Sequence, residues 1–191
     1  YNSKLNLRKA ATMDGLVTKI DDFKSLVDKI GAGDIEDLQN VRDARIKKAQ
    51  SDFSTGKIDQ NKLASELKMA REEFETKKRA VELNTIRKGI PQVEAMKDDI
   101  AQYVANNPEI IKDAAQIGGG HFNLEGESVD LYGNEFNDIN EFVNKIKNNE
   151  AFEDLNGKKG SVYELGNNLK SASSQIKTKA IDQDNKQKDS K

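Results

Sequence analysis

The sequence predicts a mainly α protein, an elongated helical bundle, and three observations carry that expectation. Apolar residues recur at helical spacing along most of the 191 residues. Only two prolines, Pro91 and Pro108, interrupt the chain. Residues 34–88 hold two long amphipathic stretches separated by a single turn signal, the pattern of an αα-hairpin. Leu, Ile, Val and Phe supply 44 of the 191 residues, just above the composition at which a chain buries too little to fold. The predicted core is therefore thin.

Residues 13–30 give the clearest helix. Met13, Leu16, Val17, Ile20, Phe23, Leu26, Val27 and Ile30 fall on one face of a 3.6-residue period, and Gly31 and Gly33 are expected to end it. Asp34 then reads as the N-cap of the first hairpin arm, which carries Ile35, Leu38, Val41, Ile46, Ala49 and Phe53. Thr55-Gly56 should break that arm, and Asp59 should cap the second. Ile58 and Leu63 stand at the positions of a hydrophobic staple. The second arm spaces Leu63, Leu67, Ala70, Phe74 and Val81 as a heptad seam with one position skipped at Lys77 or Lys78.

Pro91 and Pro108 read as first-turn prolines of two shorter helices, the latter capped by Asn107. Gly118-Gly119-Gly120 should end that pair. Residues 121–133 alternate loosely with period two around Glu125-Gly126, which predicts a small β-hairpin insert. Asn137 should cap a helix bearing Ile139, Phe142, Val143 and Ile146, followed by a short turn at Phe152 and Leu155. Ser161-Val162-Tyr163-Glu164 is a capping box that opens a last helix with Val162, Leu165, Leu169 and Ile176. The expected organisation is one helical domain over 1–177 and a disordered polar tail over 178–191, where apolar content nearly vanishes.

Composition excludes several chemistries. Zero Cys removes thiol catalysis, disulfides and Cys-ligated metals, and a single histidine, His121, removes any site needing two imidazoles. Ser65-Glu66-Leu67-Lys68 matches the SxxK acyl-enzyme motif but lacks its SDN and KTG partners. The triple glycine before His121 follows a helix instead of opening one, the reverse of a phosphate loop. The acids Glu125, Glu127, Asp130, Glu135, Asp138 and Glu141 fail the EF-hand template, since position 6 counted from Asp130 is Glu135. A sugar site usually brings aromatic platforms, and the chain has no Trp and four Tyr. The expectation is a protein without catalytic residues, cofactor or metal.

Charge is distributed unevenly. Residues 41–90 hold 13 Lys or Arg against 8 Asp or Glu, while residues 91–140 hold 2 against 10. Such asymmetry guides association and register more than affinity. Arg42, Arg45, Lys48, Lys77, Lys78 and Arg79 are the candidate partner-binding residues. The expected function is a structural or protein-binding component, an assembly subunit or exported adaptor, working through helix–helix contacts with other protein chains, second copies of itself included. The alternative is nucleic-acid binding through the basic hairpin at 42–88, although interleaved acids such as Asp43, Glu72, Glu73 and Glu75 weaken a phosphate-binding face. No apolar run is long enough for a membrane helix and no signal peptide is visible. The start at Tyr1 and the lack of Cys are compatible with a processed exported protein.

Overall fold

A computed structural model describes residues 2–118, 139–152 and 161–189. The described residues form seven α-helices, α1 (Asn2–Ile30), α2 (Ala32–Ser54), α3 (Gln60–Arg87), α4 (Pro91–Asn106), α5 (Pro108–Gly118), α6 (Ile139–Lys147) and α7 (Ser161–Asp189), with a 3-10 turn at Glu150–Phe152. The protein is mainly helical, and the described residues include no strand. The β-hairpin expected at 121–133 lies outside the described residues, as do His121 and the Asn137 cap. The chain divides into two compact units, where the sequence suggests one domain. The first comprises 1–24 with 91–191, and the second comprises 25–90.

In the first unit α1 runs antiparallel to α4 and to α7. Met13, Leu16, Val17, Ile20 and Phe23 are buried on its inner face. Val93, Ile100 and Val104 of α4 are buried in the same unit, as are Val162, Leu165, Leu169 and Ala172 of α7. α5 packs on α7, and α6 on α4. Phe23 stacks obliquely on Phe152 with ring centroids 4.7 Å apart, so the 3-10 turn closes one end of the apolar seam.

Polar groups beside the seam set its register. Tyr103 Oη donates to the Thr12 carbonyl oxygen at 2.8 Å. Gly15 leaves room for that phenol, since a Cβ there would overlap the hydroxyl. Ser173 Oγ donates to Asp14 Oδ1 at 2.6 Å, and Lys177 Nζ donates to Oδ2 of the same carboxylate at 2.5 Å. Lys19 pairs with Asp99 at 2.6 Å. Lys97 of α4 is only 3% exposed, and its Nζ donates to Asn149 Oδ1 at 2.9 Å beside Glu94 Oε2 at 2.7 Å. That bond reaches the turn after α6, where Asn149 takes a left-handed φ of 73° that an Asn side chain tolerates.

The second unit is the helical hairpin. α2 ends in a Schellman arrangement: Gly56 has φ 75°, its N–H donates to the Phe53 oxygen at 3.1 Å, and the Lys57 N–H donates to the Asp52 oxygen at 2.8 Å. Asp59 caps α3 by accepting from the Lys62 N–H at 2.7 Å. Ala70, Phe74, Thr85 and Ile86 are buried on α3, and Ile35 and Ala49 on α2. Lys78 is half-buried while Lys77 is exposed, so the seam passes through Lys78. The Thr85 hydroxyl is satisfied by the Val81 carbonyl at 2.9 Å.

Four local expectations need correction. The first helix extends back beyond the 13–30 signal to Asn2, because Ala10 is fully buried and extends the inner face by a turn, and nothing before it breaks a helix. Asp34 is not an N-cap. The Gly31 N–H bonds to the Val27 oxygen and the Ile35 N–H to the Gly31 oxygen, so hydrogen bonding passes through the junction and α2 begins at Ala32, with Gly33 inside it. Gly31 is the residue that the close approach requires, since a Cβ there would stand 2.9 Å from Val81 Cγ1. Asn107 precedes α5 as expected, but its Nδ2 donates back to the Tyr103 oxygen at 3.0 Å and so closes α4. Residues 178–189, read as disordered tail, continue α7, and Ala180 is buried one turn beyond Ile176 on the same face.

Two titrating groups at the α1 contacts give opposite pH limits. Burial raises the Asp14 carboxyl, but the hydrogen bonds from Lys177 and Ser173 and the Lys177 charge outweigh it, leaving the group below its ordinary value. Its stabilisation is therefore present above the unfolded carboxylate value of about 3.9 and is lost as pH falls through the lower folded value. Burial raises the Tyr103 phenol, opposed by Lys19. Its contribution is present below about pH 10 and is lost as pH rises from there through the folded value. Thermal melts by circular dichroism should show Asp14→Asn flattening only the acid limb, and Tyr103→Phe lowering stability by about 1 kcal/mol while flattening only the alkaline limb. Unchanged limbs in both variants would refute these assignments.

Candidate interaction surface on the helical hairpin

The six basic residues singled out from the sequence all lie on the hairpin, but the structure gives them different work. Arg42 places its guanidinium carbon 4.3 Å from the centroid of the Phe74 ring while its Nε bonds Asp43 at 3.0 Å. It therefore acts as a lid over a buried aromatic on the opposite arm. Arg45 reaches across to α3 and joins two carboxylates, with Nε 3.3 Å from Glu66 Oε2 and Nη1 2.8 Å from Glu73 Oε2. Glu66 and Glu73 are seven residues apart, two turns on one flank of α3, so a single guanidinium spans both. Lys48 and Lys77 are exposed, and Lys78 and Arg79 are half-buried. The residues are thus not gathered into one cationic patch.

Glu66 also receives Lys62 one turn before it at 3.5 Å. The flank is consequently a zipper of alternating sign. A phosphate contact through Arg45 would have to displace two carboxylates, which is a poor basis for nucleic-acid binding. Ser65 and Lys68 of the SxxK match are exposed. The Ser65 hydroxyl faces Met69 Sδ at 3.8 Å, and Lys68 pairs with Glu72 at 3.9 Å. Among the described residues, no group of three or more His, Asp or Glu side chains converges as a metal site would need.

Apolar residues supply what the reading of charge missed. Val41 is 64% exposed, and Phe53, the last apolar residue of the first arm, is 42% exposed. Met69 is likewise exposed. The signal for this lies in the heptad. Ile35, Arg42 and Ala49 are spaced by seven and form the inner line of α2, which turns Val41 outward beside Arg42. Leu38, one turn from Val41 on that flank, lines an open, mostly apolar groove of about 290 Å3 together with Asp34, Asp37, Lys77, Ala80 and Val81.

No protein-family model matches the chain, and neither the curated proteins nor the solved structures include a significant match. No helix among the described residues is long and apolar enough to cross a membrane.

The Arg45 bridge can be measured directly. In urea denaturation, a double-mutant cycle of Arg45→Ala and Glu73→Gln should give a coupling of about 0.5 kcal/mol, within the roughly 0.2–1 kcal/mol range of solvent-accessible pairs. Strict additivity would show that the Arg45–Glu73 pair contributes nothing to the hairpin.

Proposed function

We propose that this protein is a non-enzymatic, protein-binding helical component that acts through helix–helix contacts along the flank of its α2–α3 hairpin. The observation that carries the reading is Val41, 64% exposed in the middle of α2 and next to an apolar groove, on a hairpin whose inner seam is already filled by Ile35, Ala49, Ala70 and Phe74. Single exposed apolar residues are ordinary on protein surfaces, but one that continues a groove supports a contact surface. The charged residues around it suit orientation and register more than affinity, since Arg42 and Arg45 already have carboxylate partners within the hairpin.

The purified 191-residue chain, immobilised and used for capture followed by cross-linking, should retain a helical protein partner. Val41→Glu should reduce that retention at least tenfold with unchanged far-ultraviolet circular dichroism. Retention indifferent to Val41→Glu would contradict the reading. Salt-sensitive shifts of duplex DNA or RNA that respond to Arg42 and Lys48 substitutions would replace it with the nucleic-acid alternative.

A further inference from the structure

We infer that the partner of this flank is a second copy of the chain, joined about a two-fold axis that runs along the hairpin. This rests on the protein-binding reading above and names its partner. The groove is self-complementary in charge. Its α2 wall carries Asp34 and Asp37, its α3 wall carries Lys77, and Leu38, Ala80 and Val81 lie between them. A two-fold parallel to the helices keeps both hairpins at the same level and sets the α2 wall of each copy against the α3 wall of the other. Asp34 and Asp37 then face Lys77 of the second copy twice over, once on each side of the axis. Val41 and Leu38 of both copies meet between these pairs in a four-helix arrangement.

The groove alone is small beside the roughly 1,000 Å2 that a stable interface buries. The contact therefore extends along the flank from Val41 past the Arg45–Glu66–Glu73 bridge to Met69, which shares that flank at helical spacing from Glu66 and Glu73. With Lys62 on Glu66, the Arg45 bridge sets two cations against two carboxylates and presents little net charge to its symmetry mate. Leu38, Val41, Ala80 and Met69 form a short apolar set, which sets the expectation of a reversible, concentration-dependent dimer whose rim pairs weaken with salt.

Sedimentation velocity on the full chain over a hundredfold range of concentration, at two salt levels, tests this. The wild type should pass from monomer to dimer, with a weaker dimer at the higher salt. Val41→Glu should raise the dissociation constant at least tenfold. The double variant Asp34→Lys with Asp37→Lys should fail to dimerise, and so should Lys77→Glu. An equimolar mixture of these two should dimerise, because a mixed pair restores opposite charges at both contacts. Circular dichroism confirms that each variant keeps its helices, and the mixture adds a gain of association that a misfolded variant could not produce. A mixture no better than its components overturns the inference, as does a dimer indifferent to Val41→Glu. A wild type monomeric throughout, with Val41-dependent capture of a different protein, overturns the second-copy inference and leaves the protein-binding reading standing. A monomer whose capture is indifferent to Val41 overturns both.

Discussion

Each helix of this protein has one narrow apolar seam to bury, and the polar residues beside that seam decide where along it two helices meet. With 44 of 191 residues as Leu, Ile, Val or Phe, a helix face can be lined but not surrounded. Apolar contact is non-directional, so a line of similar side chains permits sliding by a turn. Hydrogen bonds with one geometry remove that freedom. Along α1 these are the Tyr103 hydroxyl on the Thr12 carbonyl and the paired hold of Ser173 and Lys177 on Asp14. In the hairpin the same work falls to Arg42 over Phe74 and to Arg45 between two glutamates.

A thin seam also explains why surface remains on the hairpin for another chain. Two antiparallel helices can cover only the sides that face each other, and the α2–α3 pair fills its shared side with residues as small as Ala49 and Ala70. The positions just off that line fall on the flank. Val41 is one such position, and the groove beside it combines an apolar floor with walls of opposite sign. Charge on this flank alternates locally, with Arg42 held by Asp43 and Arg45 by Glu66 and Glu73.

Features governed by local geometry were legible in the sequence. The stop at Thr55-Gly56, the Asp59 cap, the first-turn prolines of α4 and α5 and the inner face of α1 each depend on a few adjacent residues. Features set by distant partners were not. Whether Gly31 ends a helix or lets hydrogen bonding pass through depends on Val81, fifty residues away in the chain. Asn107 has the chemistry of an N-cap and of a C-terminal donor, and the Tyr103 carbonyl claimed it. The helical continuation after 178 hangs on Ala180, a small residue that carries little weight in a hydrophobicity pattern yet fits a tight helix contact. For the candidate surface, the six basic positions were legible as hairpin residues. Their pairing with Phe74, Glu66 and Glu73 was not, because it needs the register between the arms.

Native-state hydrogen exchange resolved by residue tests the central claim that two separately lined seams hold the two units. Amides around Met13–Phe23 and Val162–Ala172 should share one high opening free energy. Amides of α2 and α3 should open together at a lower one, with the earliest loss next to the Thr55–Asp59 turn. A single opening free energy common to α1, α7 and the hairpin would contradict the account, as would a hairpin that outlasts the α1–α7 contact.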